Sequence, residues 1–294
     1  MASRRFPQSV VGALALVMLA ACASQKTASA PEPTATAVPS ASPTASAMST
    51  ASAAPTGAPM AGPSQALGQG SVWAYVVPDA AGTPLEVGVR LIGAALTGLP
   101  TAPPDGHPMP VVLTFPSGAN AGVLDHVEFY WNPVGHEPAG VWDKPHFDYH
   151  FFMVDQASAR AVDPANPDFP TKAAKIPDAK YIPTDFVAPP GTAVANTVPG
   201  MGLHWLDQTE PPIPGQYQFT ETMINGSYDG TRTFIEPMIT RDWLLTHPTL
   251  DEQLKQPQAY QKAGLWPTTY TVRYDAAKDE YAVALGGFTD RQAS

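Results

Sequence analysis

From residue 70 onward the chain sets apolar and polar positions in short alternating runs. Gly, Pro, Asn and Asp punctuate them. The period of two and the enrichment in Val, Tyr, Phe and Trp predict strands over 70–77, 85–96, 109–115, 122–131, 146–154, 217–224, 232–239, 268–275 and 280–288. Asp229-Gly230 reads as a turn between two of these runs, and "AAKD" as the hairpin loop of the last pair. Helical patterning is sparse: 155–162, 239–247 and 250–260, with Asp155, Thr240 and Thr249 as candidate caps. The 34 prolines work against long helices. The expectation is a single mainly β domain over 69–294, a sandwich or barrel-like fold with a few short helices. The proline-rich stretch 163–200 reads as a long loop, either a lid or a cover for an open sheet edge.

The chain before residue 69 has a different pattern. Arg4 and Arg5 precede an apolar run, Val10 to Ala21, too short to span a membrane and suited to an export signal. It ends in Leu19-Ala20-Ala21-Cys22, which resembles a bacterial lipobox, and Cys22 is the only cysteine in the chain. Residues 1–21 therefore read as a lipoprotein signal peptide and Cys22 as the lipidated residue. Residues 22–68, nearly all Ala, Ser, Thr, Pro, Gly and Met, read as a disordered tether. By the same resemblance, Ala23 after the cysteine favours the outer membrane in a host that has one. With Cys22 acylated, no thiol is left for disulfides, thiolate ligands or a cysteine nucleophile.

Charge narrows the partners. The formal charge is −10, and loss of Arg4 and Arg5 takes it to about −12. With no basic block, the chain lacks the electrostatic footprint of a nucleic-acid binder. Anionic headgroups would repel it, so the lipid anchor would be its membrane contact. A homo-oligomer is compatible with the sequence. No G-x-S-x-G, P-loop, dinucleotide fingerprint or H-E-x-x-H is present. Acidic pairs such as Asp207 and Glu210 are too common to indicate a glycosidase by themselves.

One stretch stands apart: "HFDYHFFMV", 146–154. As a strand it sets Phe147, Tyr149, Phe151 and Met153 on one face and His146, Asp148, His150 and Phe152 on the other. A solvent-exposed face would explain alternation, yet His-Asp-His is an unusual choice for one. Residues two apart lie roughly 6.6 Å apart along a strand and residues four apart roughly 13 Å. His146 and His150 can therefore share an ion only across a bend, and Asp148 pairs more easily with either. His136 and Glu137 in the preceding turn, His204 beside Trp205, and Glu236 inside an apolar strand are further candidates. His126 and Glu128 share another strand face. The expected ligand set is Asp148, His150 and His204, with His146 and Glu137 next, Glu236 as a fourth or supporting group, and His136 nearby. Such donors suit one divalent ion, Zn, Fe, Mn, Cu or Ni. Trp205, Tyr149 and the 163–200 loop would shape its pocket. Whether the domain is an enzyme stays open. A hydrogen-bond network in a non-catalytic binding or assembly domain, packed by Trp73, Trp131, Trp142 and Trp205, is an alternative. So is a periplasmic metal carrier or sensor.

The segments "DHVEFYWNPVGHEPAGVWDKPHFDYHFFMV", "VPGMGLHWLD" and "NGSYDGTRTFIEPMIT" together resemble a family of exported bacterial proteins with a domain of unknown function. The resemblance implies a β-rich fold with no established activity. The positions it covers are His136, Glu137, Pro145, His146, Asp148, His150, His204, Trp205, Glu236 and Pro237.

Overall fold

A computed structural model describes residues 57–102 and 110–294. The signal segment, Cys22, the tether through residue 56 and His107 lie outside the described residues. Among the described residues, seventeen strands carry the fold: β1 (Met60–Ala61), β2 (Gln65–Leu67), β3 (Gly70–Pro78), β4 (Pro84–Ile92), β5 (Val111–Thr114), β6 (His126–Asn132), β7 (His146–Phe152), β8 (Phe186–Val187), β9 (Thr197–Val198), β10 (Gly202–Asp207), β11 (Glu221–Tyr228), β12 (Thr231–Thr240), β13 (Leu250–Gln253), β14 (Gly264–Trp266), β15 (Thr269–Asp275), β16 (Glu280–Gly286) and β17 (Thr289–Arg291). The α-helices are short: α1 (Gln156–Arg160), α2 (Phe169–Ala173) and α3 (Arg241–Leu244).

One sheet runs β1-β3-β4-β16-β15-β13, with β2 also on β3; the other runs β5-β6-β7-β12-β11-β10-β8, with β9 also on β10. A third, small sheet pairs β14 with β17. All ladders are antiparallel, and no sheet closes into a barrel. Val72, Ala74, Val76, Val87, Val89, Val283 and Leu285 of the first sheet pack in one core with Val127, Phe129, Phe147, Tyr149, Phe151 and Ile235 of the second. The period-two runs thus give a β-sandwich, each sheet turning its apolar set inward.

The turns explain the hairpins. Asp229 and Gly230 both have positive φ, 50° and 76°, and Tyr228 pairs with Thr231, the geometry of a two-residue hairpin loop. Asp155 and Thr240 cap α1 and α3 as expected, accepting from the backbone N–H of Ser158 and Trp243.

Four expectations need correction. Residues 250–260 are not helical: Leu250–Gln253 form β13 on β15, and the rest is irregular but for an isolated bridge at Tyr260. Pro257 leaves too short a segment for a stable helix, and the open edge of β15 offers a ladder. Thr249 is accordingly not a cap. The strand expected over 217–224 starts only at Glu221. Sheet pairing reaches into the segment assigned to the tether, because β1 and β2 dock on β3. Finally, the 163–200 stretch holds α2, a 3-10 turn at Ala179–Tyr181, and β8 and β9, which cover the β10 edge.

β12 has an unusual member. The ladder pairs Ile235 with Phe151 and Met238 with Asp148, which sets Glu236 across from His150 and Pro237 across from Tyr149. Proline lacks an N–H and is rarely found in a central strand.

Candidate metal centre

All seven residues of β7 are buried, so the wet-face reading of the His-Asp-His row fails. The face turned away from the core is a continuous surface. It carries His126, Glu128, Tyr130 and Asn132 of β6, His146, Asp148, His150 and Phe152 of β7, Phe234, Glu236 and Met238 of β12, and His204 of β10. A second apolar cluster lies over it, in which Val141, Trp142, Ala159 and Phe219 meet Phe152, Phe234 and Met238.

Five ionisable side chains of this face and His136, from the turn between β6 and β7, form two triads. His136, His146 and Asp148 make one; His150, His204 and Glu236 make the other. In each, one ligand atom per residue lies within 4.8 Å of the other two. In the first, His146 Nε2 is 3.1 Å from Asp148 Oδ1 and His136 Nε2 is 3.6 Å from Asp148 Oδ2. In the second, His150 Nε2 is 3.3 Å from Glu236 Oε1 and His204 Nε2 is 3.5 Å from Glu236 Oε2. Donors bound at about 2.0–2.1 Å around a tetrahedral ion stand about 3.3–3.4 Å apart. The 3.3–3.6 Å separations match that edge better than they match hydrogen bonds of about 2.9 Å, whereas the 3.1 Å His146–Asp148 contact lies within hydrogen-bond range.

The ring orientations point the same way. His136, His146 and His204 each set Nδ1 against a backbone carbonyl: Glu137 at 2.8 Å, Lys144 at 2.7 Å and Gly202 at 3.2 Å. A carbonyl only accepts, so each Nδ1 carries a proton, and in the neutral ring each Nε2 is left to offer its lone pair to the triad. His150 is held by packing instead, between Tyr130 and Phe234 with ring centroids at 5.2 and 4.8 Å. Neither of its ring nitrogens has an aligned hydrogen-bond partner, and Glu236 Oε2 and Asp148 Oδ1 are likewise buried without one.

The triads differ in charge. Burial pushes the His150 imidazole down to about 3, against the pull of Asp148, and burial with His136 pushes His204 down to about 4. Burial, then the Asp148 charge, raises Glu236 well above the usual carboxylate range. This triad is neutral. In the first triad burial would raise Asp148, but His146 and His136 outweigh it and hold the carboxylate ionised. Asp148 in turn raises His136 against burial. Asn132 adds a hydrogen bond, donating from Nδ2 to Asp148 Oδ2 at 2.7 Å.

The expected set of Asp148, His150 and His204 is thus split. The structure brings His150 and His204 together, ring centroids 6.0 Å apart, but their carboxylate is Glu236. Asp148 joins His146 and His136, and His146 and His150, four residues apart on β7, fall in separate triads. Glu137 is exposed; its carboxylate accepts from Ala139 N, and only its backbone oxygen reaches His136. Trp205 faces the other way, into a cluster with Ile182, Phe186 and Leu203, and Tyr149 lies in the core; neither shapes the triads. His126 stacks on Phe152, and Glu128 accepts from Tyr130. Sequence reasoning missed Asn132, although it follows His126, Glu128 and Tyr130 at the same period.

Among known proteins, the chain is similar to a family described as TTHB210-like, hypothetical protein TTHB210, over residues 79–131. That family has no assigned function. The match ends at Trp131, before any of the six triad residues. No curated protein and no solved structure matches the chain.

Proposed function

We propose that the protein is a lipid-anchored, extracytoplasmic metal-binding protein. Its outer sheet face would hold a divalent transition-metal ion at His150, His204 and Glu236, with His136, His146 and Asp148 as a second triad of the same kind. The observation that carries this reading is the buried, unaligned meeting of His150 Nε2 with Glu236 at the spacing of two ligands on one ion. Burying a polar group without an aligned partner costs about 1–3 kcal/mol, whereas binding at a structural zinc site returns about 10–16 kcal/mol. Neutral imidazoles are the ligating form, and burial keeps His150 and His204 neutral at physiological pH. Three protein donors leave a coordination position free, as a catalytic or exchanging site requires. In each triad one histidine faces solvent, His204 at 20% exposure and His136 at 37%, which provides the entry side. The export signal and the lipobox-like Cys22 support the cellular address.

Metal analysis of the full chain, purified in detergent without an affinity tag, tests the reading. The expected result is about one to two equivalents of transition metal, with His204→Gln lowering the content by about one. Less than about a tenth of an equivalent, with no thermal shift on adding Zn, Cu, Mn, Fe or Ni, overturns it.

A second reading has its own support. The Asn132–Asp148–His146 contacts are short and charge-assisted, as in a polar network that needs no ion. If loading stops at one equivalent and His136→Gln leaves it unchanged, the first triad is such a network.

A further inference from the structure

The opposite face of the same sheet holds a second polar feature. β11 and β12 run in register until Gly226 faces Phe234; a bulge then sets Ser227 across from Arg232, skipping Thr233. Without it, Arg232 would share the outer face with Phe234 and Glu236. With it, Arg232 points inward, its guanidinium donating to Asn225 Oδ1 at 2.7 Å and lying over the Trp266 ring at 5.3 Å.

Arg232 is only 8% exposed. Its Nε has no hydrogen-bond partner, and no carboxylate lies within ion-pair range of its guanidinium among the described residues. Elsewhere the usual arrangement holds: Arg273 reaches the buried Glu86 directly, and Arg90 meets Glu280 at 2.6 Å. Buried charges in proteins are normally paired. Burial lowers Arg232 to about 10, which leaves it charged at neutral pH.

Beside Arg232 is a cavity of about 80 Å³, lined by Met153, Val154, Tyr260, Trp266 and, at its exposed mouth, Lys262. No Asp or Glu lines it. Lys262 Nζ is held loosely, 3.4 Å from Met153 O and 3.5 Å from Val123 O. The cavity therefore offers one buried guanidinium, one weakly bonded ammonium, the neutral polar groups of Tyr181, Thr231 and Gln261, and otherwise mainly apolar walls.

We propose that this cavity binds a small organic monocarboxylate with a short apolar tail. The carboxylate would sit against the free edge of the Arg232 guanidinium, whose planar fork suits two oxygens. Lys262 would close on it from the mouth, and the tail would lie against Met153, Val154 and Trp266. Phosphate and sulfate fit less well, since their additional charged oxygens would meet mainly apolar walls and only the neutral side chains of Tyr181, Thr231 and Gln261. The volume suits an acid of roughly two to four carbons. The site lies on the inner side of the sheet, does not use the six triad residues, and stands independently of metal binding.

Calorimetric titration and thermal shift of the full chain in detergent, with chelator present, test the proposal. The probes are acetate, propionate, butyrate, phosphate and sulfate. Propionate or butyrate is expected to bind and raise the melting temperature, with phosphate and sulfate at least tenfold weaker. Arg232→Met should abolish the ligand-induced shift while leaving the ligand-free melting temperature equal or higher, because it removes an unpaired buried charge. Lys262→Ala, at the exposed mouth, should fold normally and weaken binding severalfold. Three results would each overturn the assignment: no acid binding at concentrations up to about 50 mM, a millimolar affinity unchanged in Lys262→Ala, or equal binding of phosphate. Should Arg232→Met unfold the chain, the positive charge has a structural role; Lys262→Ala and the tail-length series then decide the binding question alone.

Discussion

The side chains of this protein are governed by which face of a sheet receives them. Glu221 is a case away from the triads. It lies half-buried at the inner edge of β11, beside a cavity of about 130 Å³ that Glu210 and Glu252 also line. Burial, then the charges of Glu252 and Glu210, raise its carboxyl to about 8. The sign is opposite to that of an ion-paired carboxylate. Between pH 4.5 and 8 the folded chain holds a proton that the unfolded chain has released, so stability falls as pH rises through that window and levels off above it. Glu221→Gln should therefore melt with the wild type at pH 4 and above it at pH 9. A difference on the order of 2 kcal/mol corresponds to roughly 4–8 °C. Equal melting temperatures at both pH values would contradict the shift. Residue chemistry was partly legible from sequence. Alternation alone put His146, Asp148 and His150 on one face. It could not say which carboxylate meets which imidazole, because that depends on the offset between β7 and β12 and on the path of the turn carrying His136.

Elements are fixed by their neighbours as much as by their own pattern. Hydrophobic alternation located the central strands, since both their faces or one full face are apolar. It misjudged 250–260, whose polar composition fits a helix, because the deciding interaction is a ladder with β15. It also missed β8 and β9, two-residue strands with no pattern of their own. Gly226 shows how a single position couples an element to the site. Its Cα faces the Phe234 ring so closely that a Cβ there would meet Phe234 Cε1 at 2.1 Å. That ring in turn packs against both His150 and His204, centroids 4.8 and 5.1 Å away. Gly226→Ala should thus push Phe234 into the triad. We expect a loss of about 1–3 kcal/mol in stability from overpacking. We also expect at least a tenfold loss of ion affinity by competition with a chromogenic chelator. Unchanged affinity would show that Phe234 does not set the imidazole geometry.

At the scale of the whole molecule, the mainly β class was readable from strand length and spacing, while the choice between sandwich and barrel was not. The order of strands within each sheet was not either, since β7 pairs with β12 across 78 intervening residues. No helix among the described residues is long and apolar enough to cross a membrane. The lipid anchor proposed at Cys22 makes a separate prediction: Cys22→Ser should move the protein from the membrane pellet to the soluble fraction after cell lysis. A variant that still pellets would argue for another attachment. The two-faced character of β7 has one more consequence. Phe147, Tyr149 and Phe151 enter the sandwich while His146, Asp148 and His150 meet the triads. A slip of one residue in its pairing would exchange these sets, forcing three ionisable groups into oil and three aromatic rings against charge. Each face thus proofreads the other during folding, since only the aligned register satisfies both.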